Sequence, residues 1–153
     1  VLLCGGIGAG AQAALADAGI EICSGAEGDA DAAVNAYLRG ETSIGDNCVI
    51  GNAVEVKSSL LGNQVFVSHL SYIGDSIIRD DVNVGGGCIF SNFRHDAGEI
   101  RMPWEGVLQA TGLNKLGCYV GAHCRIGCKC VVLPGRVLPP GTHTYPGTVY
   151  TGR

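Results

Sequence analysis

A repeat of six residues limits the possible folds of this chain more than any other feature of its sequence. Aliphatic residues recur at intervals of six, a glycine often follows directly, and a second small or apolar residue lies four positions after each aliphatic one. This pattern is typical of a parallel β-helix, in which three hexads form one triangular coil. The repeated positions are Ile44, Ile50, Val56, Leu61, Val67, Ile73, Ile78, Val84, Phe90, Val120, Ile126, Val132 and Leu138.

The repeat predicts a mainly β fold, with a left-handed parallel β-helix domain over residues 41–153 and a partial α/β segment at residues 1–40. The aliphatic residue and its small partner should point inward, and the following glycine should relieve the corner of the coil. Equivalent positions should stack one strand spacing apart and form ladders. The step is five between Val56 and Leu61 and between Ile73 and Ile78, which should shift the phase of the coil.

The period fails between Phe90 and Val120, where the chain carries its only Trp and its only Met. We expect residues 91–117 to leave the coil stack as a loop, and long loops in compact domains are often functional. A second irregularity is Arg136, at a position that the repeat directs inward. A buried and unpaired arginine would be costly, so we expect the chain to leave the regular coils there.

Residues 1–40 follow an alternating β–α–β–α pattern instead. Two short strands are predicted in "VLLC" and "IEIC", and two helices in "AQAALADAG" and "DADAAVNAYLRG". The glycine turn "GGIGAG" imitates a dinucleotide fingerprint. A dinucleotide fold needs two such halves, however, and this chain passes directly into hexads.

Composition excludes several classes of function. The net charge of −4 argues against a nucleic-acid partner. Each apolar run is interrupted by glycine, serine or a charge, so no membrane span is predicted. The start "VLLCGGIGAG" has no basic region typical of a signal peptide, and we expect a cytoplasmic chain with reduced thiols.

The cysteines lack the paired C-x-x-C spacing of zinc sites, so no metal is expected. Most of them fall at inward positions of the hexads, where free cysteine acts as a small hydrophobe. Cys128 should point outward. Carriage of a metal cluster by Cys4 and Cys128 remains an alternative. The cysteines expected to point inward are Cys48, Cys88, Cys118, Cys124 and Cys130.

Two stretches resemble known families. "CGGIGAGAQAALADAGIEICSGAEGDADAAVNAYLRG" is similar to the C-terminal half of the dinitrogenase iron–molybdenum cofactor biosynthesis domain. The order VEVK…HLSYIGD…VNVGGG…SN, within residues 39–96, resembles the β-helix domain of the N-acetylglucosamine-1-phosphate uridyltransferase/glucosamine-1-phosphate acetyltransferase family. The ending "SNFRHD" is closest to its archaeal-type sugar-phosphate nucleotidyltransferase branch. This resemblance implies an acetyl-CoA-dependent N-acetyltransferase that acts on an amino-sugar-1-phosphate and assembles as a homotrimer.

The same resemblance assigns roles in acetyl transfer. His69 falls on the family's general base, which takes a proton from the attacking amine, and imidazole suits this task near neutral pH. Asn83 matches an asparagine that orients the substrate and the base. Gly86 and Ala122 fall where small residues let the acetyl-CoA thioester approach backbone N–H groups, which can stabilise an oxyanion.

The resemblance also assigns residues to the sugar phosphate. Lys57 and Tyr72 match residues that hold it, Arg39 matches a phosphate-binding arginine one coil earlier, and Asn92 matches a second orienting asparagine. From the hexad phase, His69 and Tyr72 should lie outside the core on one edge of the prism. That edge should face a neighbouring subunit and the 91–117 loop.

Two functions from different classes therefore remain open. The ordered set of histidine, lysine, tyrosine and asparagines favours the acetyltransferase. The absence of a nucleotidyltransferase domain from this chain, together with its different N-terminal segment, favours a non-catalytic trimerising scaffold or sensor of a larger protein. Release of free thiol from acetyl-CoA in the presence of glucosamine-1-phosphate separates the two.

Overall fold

Parallel β-strands dominate the fold, which is described by a computed structural model for residues 2–4, 17, 22–24 and 41–152. In chain order the strands are β1 (Leu2–Cys4), β2 (Ile22–Ser24), β3 (Ser43–Ile44), β4 (Val49–Asn52), β5 (Glu55–Lys57), β6 (Leu60–Leu61), β7 (Phe66–His69), β8 (Tyr72–Gly74), β9 (Ile77–Ile78), β10 (Asn83–Val84), β11 (Ile89–Phe90), β12 (Arg101–Trp104), β13 (Val107–Ala110), β14 (Tyr119–Val120), β15 (Arg125–Ile126), β16 (Val131–Val132), β17 (Val137–Leu138) and β18 (Val149–Tyr150).

In the N-terminal segment, β1 and β2 pair in parallel, with Leu2 opposite Ile22. Both predicted strands of this segment are therefore present. The two predicted helices lie outside the described residues, except for Asp17, which is helical and exposed. No helix in the described part of the chain is long and apolar enough to cross a lipid bilayer.

Three parallel sheets form the faces of a triangular coil stack, in the orders β3-β6-β9-β14-β17, β4-β7-β10-β15 and β5-β8-β11-β16-β18. The registers join hexad positions of successive coils: Leu61 pairs with Ile78, and Val67 pairs with Val84. These ladders confirm the predicted parallel β-helix.

The ladders fill the interior with apolar side chains and thiols. Ile44 is an exception at 45% exposure, because it lies in the first described coil and only one neighbouring described coil covers it. Cys48 is half-buried, and Cys128 is exposed as predicted. The buried core consists of Leu61, Val65, Val67, Ile73, Ile78, Val82, Val84, Cys88, Phe90, Cys118, Val120, Cys124, Ile126, Cys130, Val132 and Leu138.

The corners are built differently from the prediction. The left-handed backbone conformation lies three residues before most of the inward repeat positions, and in many coils a residue other than glycine adopts it. Where a glycine follows the aliphatic position, it instead allows close stacking of coils. A Cβ on Gly51 would lie 2.0 Å from the carbonyl oxygen of Ser68, and one on Gly121 would lie 2.4 Å from the nitrogen of Pro140. The non-glycine corner residues include Asn47, Ala53, Ser58, Gln64, Leu70, Asp75, Asp81, His123 and Lys129.

Buried serines stabilise the two short corners. Ser59 Oγ donates to the carbonyl of Lys57 at 2.8 Å, and Ser76 Oγ donates to that of Gly74 at 2.7 Å. The Ser59 hydroxyl also accepts from the backbone N–H of Ser76 in the next coil, at 3.1 Å. Each hydroxyl thus satisfies backbone groups at a corner that has lost one residue.

Residues 91–117, called the excursion below, leave the coils and contain a hairpin of β12 and β13. The two ends of the excursion are hydrogen-bonded, because Leu116 N donates to the carbonyl of Asn92 at 2.9 Å. Ile100, within the excursion, is buried. The coils continue across this gap, with Ile78 paired to Val120.

The expected departure from the coils at Arg136 does not occur. Strand β17 follows this residue directly and pairs with β14, and β18 then pairs with β16. The repeat therefore extends to Tyr150, which packs against the core. The prediction was wrong because it assumed that the chain would change its path to keep an arginine out of the interior. Instead the backbone follows the regular coil, and the Arg136 side chain itself bears the cost.

Candidate functional site

His69 lies at the corner between the second and third sheets, at the end of β7. Its carbonyl accepts hydrogen bonds from Ser71 Oγ at 2.8 Å and from Gly87 N at 3.1 Å, so its backbone position is fixed from two coils. The residue is exposed, and its imidazole makes no hydrogen bond or ion pair with the described residues. The ring is therefore available to a ligand.

Small or short side chains surround His69 along this corner. Asn52 pairs with His69 in the preceding coil, and Gly86 lies in the following one, where an added Cβ would be 3.5 Å from the His69 Cβ. Cys128 lies beneath Gly86, since Lys129 N donates to the Gly86 carbonyl at 2.9 Å. We call Asn52, His69, Gly86 and Cys128 the His69 edge.

A second group of polar side chains crosses the third sheet toward its other corner. Asn92 Nδ2 donates to the Tyr72 hydroxyl at 3.0 Å and also to the carboxylate of Asp75. That carboxylate lies 3.6 Å from Lys57 Nζ, and the Lys57 side chain remains 46% exposed. These four residues, called the polar network below, join three successive coils and leave the ammonium group accessible to an anion.

Sequence reasoning missed two residues of this group. Asp75 links Lys57 to Asn92. The feature of the sequence that could have indicated it is the short step of five residues between Ile73 and Ile78, because Asp75 is the left-handed residue of that corner. Gly74 allows Tyr72 to lie across it: an added Cβ would be 2.3 Å from the Tyr72 hydroxyl. The feature of the sequence that could have indicated Gly74 is its position directly after Ile73, which points inward.

The structure does not bring all of the predicted residues together. Asn83 is exposed in β10, on the face of the second sheet, between Phe66 and Arg125 of the neighbouring strands. Ala122 follows Val120 at a different corner from Gly86, so the two small residues do not share an edge. Arg39 lies outside the described residues.

A separate charged cluster occupies the corner near Ala122. His123 Nδ1 lies 2.8 Å from the Asp81 carboxylate, and Arg125 donates to the same carboxylate at 2.9 Å. The hydrogen bond with His123 has the largest effect in lowering the pKa of the Asp81 carboxyl, and the hydrogen bond from Arg125 has the next largest. Because Asp81 precedes the excursion and its partners follow it, the cluster fastens the two halves of the coil stack. Within the described ranges, no three His, Cys, Asp or Glu side chains group to hold a metal ion.

Comparison with known proteins gives matches to both parts of the chain. Residues 1–40 match the family described as dinitrogenase iron-molybdenum cofactor. A stretch of 115 residues, 75% of this chain, is 39% identical to a bifunctional sugar-1-phosphate nucleotidylyltransferase/acetyltransferase of Sulfurisphaera tokodaii and covers 29% of that protein.

Two further relatives are similar to this chain. The putative uncharacterized acetyltransferase YaiX of Escherichia coli is 34% identical over 71% of this chain and 47% of its own length. The bifunctional protein GlmU of Synechococcus elongatus is 52% identical over 58 residues, which are 38% of this chain and 13% of that protein. Both resemblances inferred from the sequence are thus confirmed, and this chain spans less than half the length of these relatives.

Proposed function

We propose that the β-helix of this chain, which is homologous to these acetyltransferase relatives, transfers an acetyl group from acetyl-CoA to the amine of an amino-sugar-1-phosphate, such as glucosamine-1-phosphate. The observation that carries the proposal is the combination of two features on one side of the prism. His69 presents an unpaired imidazole on a rigid backbone, and the polar network presents the Lys57 ammonium group.

The proposed reaction forms an amide and breaks a thioester. The substrate amine attacks the thioester carbonyl carbon, the neutral imidazole of His69 takes a proton from the amine, and the coenzyme A thiolate leaves and is protonated. Gly86 has no side chain beside His69, so a thioester can approach there. A base of this kind contributes roughly 10²–10⁴-fold to the rate.

The polar network would hold the other end of the substrate. The Lys57 ammonium group attracts a phosphate, and Asp75 and Tyr72 offer an acceptor and a donor to sugar hydroxyl groups. Asn92 contacts both side chains and therefore fixes their orientation. We propose that these residues select a sugar phosphate, with galactosamine-1-phosphate as an alternative substrate.

The site would be completed by a second subunit. A triangular prism has flat faces that can pack around a three-fold axis, and closed symmetry avoids filaments. Since the His69 edge and the polar network are partly open in a single chain, a homotrimer would close them into a cleft that excludes water. Ala122 would then act from a position away from the His69 edge.

The test is release of free thiol from acetyl-CoA in the presence of glucosamine-1-phosphate. We expect His69→Gln to lower turnover by about 10²-fold or more, with its melting temperature and oligomeric mass unchanged. His143→Gln is the matched control, because His143 is also an exposed histidine but lies outside the His69 edge. Equal activity of the two variants would refute the role of His69.

The scaffold function is favoured by one observation, the match of residues 1–40 to a cofactor family rather than to a nucleotidyltransferase. The same assay separates it from catalysis. A folded trimer that releases no thiol with either amino-sugar phosphate would leave the scaffold as the function of the chain.

A further inference from the structure

A cavity of about 310 Å³ lies between the excursion and the last coils. Its apolar wall combines Phe93, Ile100 and Leu108 of the excursion with Leu133 and Pro134 of a coil corner. This volume lies at the lower end of the range of small-molecule sites, about 300–1,000 Å³. A ligand there would contact both the excursion and the coils.

The cavity is positively charged, although the chain carries a net charge of −4. Three arginines line it, against one carboxylate, that of Asp96. Asp96 accepts two hydrogen bonds from the guanidinium group of Arg94 and a third from Gly98 N, and these bonds hold its pKa well below the usual range. Since Asp96 is occupied by Arg94, the charges of Arg101 and Arg136 remain uncompensated in the cavity.

Arg136 is half-buried, and one of its donor atoms has no acceptor among the described residues. It occupies the inward ladder position held by Ser76 and Cys118 in earlier coils, and its stem packs against Gly152. Its Nε is buried and makes no hydrogen bond with the described residues. A buried donor without a partner costs roughly 1–3 kcal/mol, and no carboxylate of the described residues neutralises this guanidinium group where it lines the cavity.

We propose that this cavity binds a small organic oxyanion, a carboxylate or a phosphate monoester attached to an apolar group, through Arg136 and Arg101. The apolar wall accommodates the body of the ligand, and the two guanidinium groups offer several donors to its oxygens. This site is distinct from the His69 edge and does not depend on acetyl transfer. Binding would hold the excursion on the coils.

Isothermal titration calorimetry with four probes tests the site. Phenyl phosphate and benzoate carry an oxyanion on an apolar body and distinguish a phosphate from a carboxylate site. Inorganic phosphate lacks the apolar body, and benzyl alcohol lacks the charge. We expect saturable binding of at least one aromatic anion, at least tenfold tighter than binding of inorganic phosphate or benzyl alcohol. Equal binding of benzyl alcohol, or no saturable binding of either anion, would overturn the proposal.

Variants locate the binding site. Arg136→Met and Arg101→Met should each weaken anion binding at least tenfold, whereas Arg125→Met, the same change on an exposed arginine at another corner, should leave it unchanged. If Lys57→Met abolishes binding while Arg136→Met does not, the anion occupies the polar network and the proposal fails.

Thermal unfolding without ligand controls for folding of the variant. Because Arg136→Met removes a buried donor that has no partner, the melting temperature should stay the same or rise. Loss of the folded state in Arg136→Met, with normal anion binding by Arg101→Met, would show that Arg136 is structural and would also refute the site.

Discussion

At the scale of single residues, burial separates the thiols of the coils into two chemical classes. Desolvation raises the pKa of Cys88 to about 11 and that of Cys118 to about 12. The thiolate is the reactive form, so both of these thiols are protected at neutral pH. Cys128 is exposed on the His69 edge, so reagents in solution reach its thiol directly.

We predict that iodoacetamide at pH 8 modifies Cys128 at least tenfold faster than Cys88 or Cys118, as followed by peptide mass mapping. Cys128→Ser should remove the fast-reacting site and leave the slow ones. Acetyl-CoA should slow the modification of Cys128, because the proposed thioester path runs along its edge. Equal rates at buried and exposed cysteines would contradict the described burial.

Residue positions that depend only on the hexad phase could be predicted from the sequence, as the inward Cys124 and the outward Cys128 show. Positions that depend on contacts between coils could not. The left-handed corner residues include Leu70 and Ala53, which have no local preference for that conformation. Their conformation is imposed by stacking, and the same holds for the contacts of Asp75.

At the scale of elements, Gly135 determines how the excursion is seated. Its φ is +69°, and an added Cβ would lie 2.5 Å from both the Arg101 carbonyl oxygen and a methyl group of Ile100. Gly141 has a similar φ of +72° but no atom within 4 Å of an added Cβ. Comparing alanine substitutions at the two glycines therefore distinguishes the cost of backbone strain from the cost of displacing the excursion.

We predict that Gly141→Ala costs about 1–2 kcal/mol of unfolding free energy, which is the cost of a left-handed alanine. Gly135→Ala should cost about 1–3 kcal/mol more, because the new methyl group overlaps the excursion. Denaturant unfolding measures both values. Tryptic cleavage after Arg101 should accelerate in Gly135→Ala alone. Equal cleavage in the two variants would show that the excursion does not rest on Gly135.

At the scale of the whole molecule, the proposed trimer would cover apolar residues beside the His69 edge. Phe66 lies on the same strand as His69 and is 36% exposed, next to the exposed Val49 of the preceding coil. We predict a mass of three times 15.7 kDa by light scattering at micromolar concentration.

Phe66→Glu should reduce this mass to that of one chain, because it places a charge in the interface. Gln64→Glu adds the same charge at the adjoining corner without removing an apolar contact, and should leave the trimer intact. A parent chain that is monomeric at this concentration would contradict the assembly, and with it a site shared between subunits.

The coil stack could be predicted as a whole because each hexad repeats the same inward positions, so an error at one position is corrected by the others. The excursion and Arg136 have no such repetition. The cavity between them depends on the tertiary position of Ile100 and Arg101, which no periodic signal encodes. The sequence consequently predicts the prism and the edge of the site, but not the cavity.

The ends of the excursion, Asn92 and Leu116, are joined by a hydrogen bond. The coils before and after it are paired as directly as if no residues intervened. An insertion at such a point is a closed loop, and doubling the length of a flexible loop costs only about 0.6 kcal/mol. The prism therefore sets little limit on the length of this segment, and constrains its content mainly where Ile100 and Arg101 rest on Gly135, so a new specificity can be added there without altering the repeat.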